Sequence, residues 1–172
     1  MKNDVRDLIN QQINREFHSA YLYLDFACYF EKNGLKGFAH WFREQAKEEL
    51  KHGMLFIRYL IDSGEMFKWQ DIEQPVWPMN EQKSCLAILK AAYRHEQYIT
   101  GLIEIIYAHA EENRDLRTLD FLGWFIAEQA EEEKTAAALI RGFELFGENA
   151  SSLYLLDCKL GKRKDEEPDP TE

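Results

Sequence analysis

No proline interrupts the first 74 residues, and apolar side chains recur through them every three or four positions. A stretch of that length with no break is free to be helical from end to end. Val5, Ile9, Ala20, Tyr23, Ala27 and Phe30 lay one stripe over residues 5–32, and Asn33-Gly34 stops it. Phe38, Phe42, Phe56 and Tyr59 lay a second over 35–63, which ends at Asp-Ser-Gly. Two long helices joined by so tight a turn must be antiparallel neighbours.

Residues 64–80, GEMFKWQDIEQPVWPMN, lose the helical period and hold Pro75 and Pro78. A connection of this length inside one domain needs a reason. A helix of about 29 residues is ~43 Å long, and about 17 extended residues reach ~55 Å. The segment can therefore run the length of the bundle and begin the next helix at the opposite end. Met66, Phe67, Trp69, Val76 and Trp77 are expected to hold it against the helices. A third helix reads from about 82 to 112 and a fourth, after the break at ENRD, to about 146. A short fifth, SSLYLLDCKL, reads as starting from a serine cap and stopping at Gly161. The expected fold is all-α: a four-helix bundle with one long crossover and a short C-terminal helix over residues 1–161. Residues 162–172 have no apolar side chain and read as a disordered acidic tail.

The 172 residues suffice for one domain with a real core, and 45% apolar content excludes a disordered chain. A formal charge of −10 argues against nucleic acid and anionic membrane surfaces and suits cations. Cys28, Cys85 and Cys158 are scattered and odd in number, which fits neither a disulfide framework nor a thiolate metal site. The N-terminus lacks a signal-peptide core, and no apolar run approaches membrane-spanning length. The expected location is the cytoplasm.

Each long stripe is interrupted near its middle by acids. Glu16 interrupts the first. Glu49 and His52 stand between Phe42 and Phe56 in the second, Glu96 between Tyr93 and Ile99 in the third, and Glu128 and Glu132 between Phe125 and Leu139 in the fourth. Taken singly, such residues read as wet: Glu-x-x-His pairs are routine on exposed helix faces. Their shared height is what the bland reading does not give, because helix midpoints meet at one level whichever way each helix runs. Buried like charges must neutralise or bind a cation, and no lysine or arginine lies on these stripes at that level. A pair of divalent metals answers the arrangement.

The motifs INREFHSAYLY, EELKH, RHEQYI and FLGWFIAEQAEEEK, in that order and with the crossover between the second and third, resemble the non-haem bacterial-type ferritins over residues 4–160. The resemblance implies a ferroxidase centre in which Glu16, Glu49 and His52 hold one iron. Glu49 would bridge to a second iron held also by Glu96 and Glu132. It implies a third iron site at Glu48, Glu128, Glu131 and Glu132, and puts Gln129 close to the centre. It further implies a hollow homo-oligomeric cage of 24 subunits storing ferric mineral, its four-fold axes lined by the fifth helix. Bacterioferritin-like bundles carry a second Glu-x-x-His on the fourth helix, where this chain reads Glu128-x-x-Glu131. Haem-bridged relatives place methionine after the bridging glutamate, where this chain has Leu50, so no haem is expected.

The implied reaction is oxidation of Fe(II) by O₂ or H₂O₂, with Glu48 and Glu131 passing the product toward the cavity. Tyr23, seven residues after Glu16 on the same face, and Trp124, four before Glu128, are read as donors of further electrons. A di-iron oxidase or oxygenase of the same fold, without a cage, is the alternative reading. A metal-free structural bundle would need every stripe rotated.

Overall fold

The computed structural model describes residues 1–76 and 84–164. Five helices follow one another: α1 (Asn3–Lys32), α2 (Lys36–Asp62), α3 (Cys85–Glu112), α4 (Leu116–Phe146) and α5 (Ala150–Leu160), with no strand among the described residues. None of these helices is long and apolar enough to cross a membrane.

The helix ends follow from local chemistry. α1 and α2 close with a glycine in the left-handed region, Gly34 at φ 78° and Gly64 at φ 76°. The next amide in each case reaches back five residues, Leu35 to Phe30 at 3.0 Å and Glu65 to Leu60 at 2.9 Å. α3 ends the same way with Arg114 at φ 51°, a conformation that costs a side-chain-bearing residue. Ser84 caps α3 by accepting from the Ala87 amide, and Asp115 caps α4 through the Thr118 amide. Asn149, rather than either serine of α5, caps that helix by accepting from the Ser152 amide. Its carboxamide oxygen stands one residue before the first helical position, where a cap must be.

α1 packs along α2, α3 along α4 and α1 against α3, while α5 lies on α2 and α4. The core divides into two apolar clusters. One gathers Phe30, Phe38, Phe42, Ile88, Leu89 and Leu139, and the other Val5, Ile9, Phe56, Leu60, Ile103, Ile106 and Leu122. α2 ends in the second cluster and α3 begins in the first, so the connection between them spans the bundle as its length predicts. Between the clusters lies a layer of buried polar side chains on all four long helices.

The crossover is not held as the sequence suggests. Met66, Trp69 and Val76 are 78%, 82% and 80% exposed, and only Phe67 reaches the core as a half-buried neighbour. Trp77 lies outside the described residues. Hydrogen bonds to α1 anchor the segment instead. The Lys68 amide donates to Asn10 Oδ1 at 2.8 Å, and Asn14 Nδ2 donates to the Asp71 carbonyl at 3.1 Å. An extended segment carries unpaired backbone groups, so polar side chains on the helix it crosses satisfy it better than apolar ones.

α5 is locked onto the start of α2. A Cβ at Gly37 would sit 1.7 Å from the Asp157 carbonyl oxygen, so only glycine admits this approach. Asp157 Oδ1 accepts from the Phe38 amide at 2.9 Å, occupying one of the free donors at the N-terminus of α2. His40 Nε2 donates to the carbonyl of Arg163 at 2.9 Å, just past the end of α5. Arg163 belongs to the segment read from sequence as tail, yet it is fixed at both backbone and side chain; residues 165–172 lie outside the described residues.

Candidate metal centre

The polar layer holds Glu16 on α1, Glu48, Glu49 and His52 on α2, Glu96 on α3, and Gln129 and Glu132 on α4, all buried. Each stands one helical turn from apolar core residues: Glu16 follows Ile13, His52 precedes Phe56, Glu96 precedes Ile99, and Glu132 precedes Ala136. The same stripe that buries the neighbours buries the acid.

Two groups are tight enough for one cation each. Donor atoms of Glu16, Glu49 and His52 lie within 4.8 Å of one another, and so do those of Glu48, His52 and Glu128. His52 belongs to both groups. Its Nδ1 stands 3.7 Å from Glu49 Oε2, and Trp124 packs edge-on against its ring at 5.7 Å between centroids. Glu96 and Glu132 join neither group but feel its charges.

Burial drives the titration of these acids, and their neighbours' charges add to it. Glu16 is held well above its ordinary value by desolvation and then by Glu49, while Glu49 is raised by desolvation and then by Glu132, Glu48 and Glu128. Glu132 is raised by burial and then by Glu96 and Glu48. Burial pushes Glu96 up to about 8, although the Gln129 amide at 3.2 Å favours its charged form. A layer in which Glu16, Glu49, Glu96 and Glu132 all resist ionisation is short of positive charge.

Several groups tie the layer in place. Gln12 donates to Glu16 Oε1 at 2.7 Å, and the Tyr23 hydroxyl donates to Glu96. Gln45 Nε2 donates to Glu132 Oε2 at 2.9 Å. Thr100 hydroxyl meets Glu133 Oε1 at 2.7 Å. Tyr23 therefore touches the carboxylate of α3 rather than that of its own helix. Two atoms of the layer, Glu16 Oε2 and His52 Nε2, are sealed from solvent with no hydrogen-bond partner among the described residues, as is Glu44 Oε2 outside it. Each such atom costs about 1–3 kcal/mol if nothing fills its place.

Of the residues read from the sequence, Glu131 is exposed and in neither group, and Glu128 is half-buried. Sequence reasoning missed Gln12, Gln45 and Arg163. Gln12 and Gln45 were findable, because each stands four residues before an acid, Glu16 or Glu49, on the same buried stripe. Arg163 had no such signal.

Comparison with known proteins fits this geometry. The ferritin-like domain family matches residues 6–146. A bacterial non-heme ferritin of Campylobacter jejuni is 34% identical over 159 residues, spanning 91% of this chain and 92% of that one. One from Staphylococcus haemolyticus is 32% identical over 167 residues, 97% of this chain and 99% of its own. An open-pore ferritin from the archaeon Archaeoglobus fulgidus superposes with a TM-score of 0.90 at 37% identity, covering 95% of this chain and 99% of that one.

Proposed function

The chain belongs to the ferritin-like family, and from that premise we propose that it stores iron, oxidising Fe(II) at the buried polar layer and keeping ferric mineral inside a cage of its own copies. One observation carries the reading. Glu16 Oε2 and His52 Nε2 are unpartnered buried atoms of adjoining donor side chains, and a cation is what would satisfy both. The donor set suits iron in both states. Carboxylate oxygens favour Fe(III) over Fe(II), while one imidazole keeps affinity for the ferrous ion that must load.

Iron is the substrate here. Glu16, Glu49 and His52 would hold the first ion, and Glu49, with Glu96 on α3 and Glu132 on α4, would hold a second. Two Fe(II) give up one electron each. O₂ takes the pair with two protons and leaves as H₂O₂, or H₂O₂ takes it with two protons and leaves as water. Raised carboxyls release protons as the metal displaces them, so loading the site frees acid. Gln129 and Tyr23 fix Glu96, and Gln12 fixes Glu16, so both carboxylates meet the metal already oriented. Tyr23 sits in contact with a ligand carboxylate and can supply a further electron, and Trp124 lies against His52. The third iron site read at Glu48, Glu128, Glu131 and Glu132 would pass ferric iron to the cavity; Glu48 and Glu128 lie with His52 in one tight donor group, and Glu131 is exposed. The assembly is a homo-oligomeric cage of 24 subunits, its location is the cytoplasm, and the reading assigns it no haem.

The test is to size the protein in solution and then add aerobic Fe(II) in steps, counting iron retained. Hundreds of ions per particle support a store. Retention of about two per chain by a small particle would mean a di-iron enzyme instead.

A further inference from the structure

A cation from outside the bundle reaches the layer of acids. Arg163, three residues past the end of α5, extends its guanidinium between Gln45 and Glu48 of α2. One Nη meets Glu48 Oε2 at 2.6 Å, the other donates to Gln45 Oε1, and the guanidinium carbon lies 5.1 Å from the centre of the Trp41 ring. The side chains of Arg163 and Glu48 are 17% and 8% exposed, so water screens the pair weakly. Its backbone is tied as well, through His40, and the helix before it through Gly37 and Asp157.

Glu48 is also a member of the second donor group, with His52 and Glu128. Arg163 holds one of the two oxygens of Glu48, so guanidinium and metal compete for the same carboxylate charge. Arginine stays charged at any pH a cell reaches, so it leaves only by displacement. Its other contact reaches the first centre, since Gln45 accepts from Arg163 and donates to Glu132.

We propose that Arg163 is a tethered cation that holds Glu48 of the Glu48–His52–Glu128 position and sets the order of filling, with the Glu16–Glu49–His52 position loading first and this third position only when metal displaces the guanidinium from Glu48. This rests on the reading of the buried layer as a metal centre. Arg163 acts through Glu48 and Gln45 and is a positioning residue. It gives the apo-protein a counter-charge, and it weakens the third position so that product iron does not stay there.

Calorimetric titration of the assembled, metal-free protein with Zn(II), which cannot be oxidised, separates the positions. Wild type is expected to show a tight class and a weaker one. Arg163→Gln should tighten the weaker class about tenfold, the worth of one charge-assisted hydrogen bond, and move the tight class, which it reaches only through Gln45, by less. Arg163→Lys should keep the weaker class near wild type, because the charge remains. In a Glu48→Gln background, Arg163→Gln should have no further effect. A weaker class unchanged by Arg163→Gln, or changed equally in both backgrounds, overturns the proposal while leaving the metal centre intact. Wild-type protein that takes up no zinc overturns both.

Discussion

Glu96→Gln should stabilise the metal-free protein, and by an amount that follows from its environment. Glu96 is buried on α3, and its carboxyl is pushed from the ordinary 4.5 up to about 8. At pH 7 the folded chain therefore keeps a proton that the unfolded chain has lost. Holding it about 2.5 pH units above the unfolded value costs about 3 kcal/mol. The sign is fixed by the direction: the group's contribution is complete below pH 4.5 and is lost as pH rises toward about 8. A glutamine is neutral at every pH and so avoids that loss. It retains an oxygen for the Tyr23 hydroxyl, and Gln129 can turn its own carbonyl oxygen to the new NH₂ group. Scanning calorimetry of chelator-treated protein should show Tm raised by about 6–12 °C at pH 7, at roughly 2–4 °C per kcal/mol for a chain this size. The gain should vanish near pH 4.5. An equal gain at both pH values, or none at pH 7, would refute the claim that this carboxyl is buried at the expense of its charge.

Tyr23→Phe removes the hydroxyl that touches Glu96. Oxidation beyond the first two ions per chain should slow and a tyrosyl signal in electron paramagnetic resonance should disappear; unchanged kinetics and signal would remove Tyr23 from the electron path. Gly37→Ala drives a methyl group into the Asp157 carbonyl, 1.7 Å from its oxygen, so α5 must move and the Asp157 bond to the Phe38 amide must break. A loss of at least about 1–2 kcal/mol, the worth of a helix cap, is expected in thermal denaturation, with faster proteolysis after Lys159. Native-like stability and protease resistance would show that α5 can shift without loss.

The bundle was legible in the sequence because its signals are local and repeated. Periodic apolar residues placed α1, α2 and α4 within a few residues of their observed bounds, and the length of the proline-bearing segment foretold a connection from one end to the other. The polar layer was legible for the same reason, as acids standing where a leucine belongs. What escaped was non-local. Arg163 is more than a hundred residues from Glu48 and sits in a run of charge that looks like solvated tail, so nothing in its neighbours announces the contact. The crossover misled because aromatic residues read as anchors, whereas Trp69 is exposed and asparagines of α1 do the holding. Glu131 shows the limit of the pattern. It is adjacent to Glu132 in sequence, yet one step of a helix turns it from the buried face to solvent.

The central claim is that the buried layer is where iron is oxidised, and Glu49 and His52 are its sharpest points. Aerobic Fe(II) should be added to assembled wild type, Glu49→Ala and His52→Ala while the rise of ferric absorbance is followed by stopped flow. The account predicts a fast phase of about two ions per chain in wild type that both variants lose while still assembling. An undiminished fast phase in both variants would contradict it.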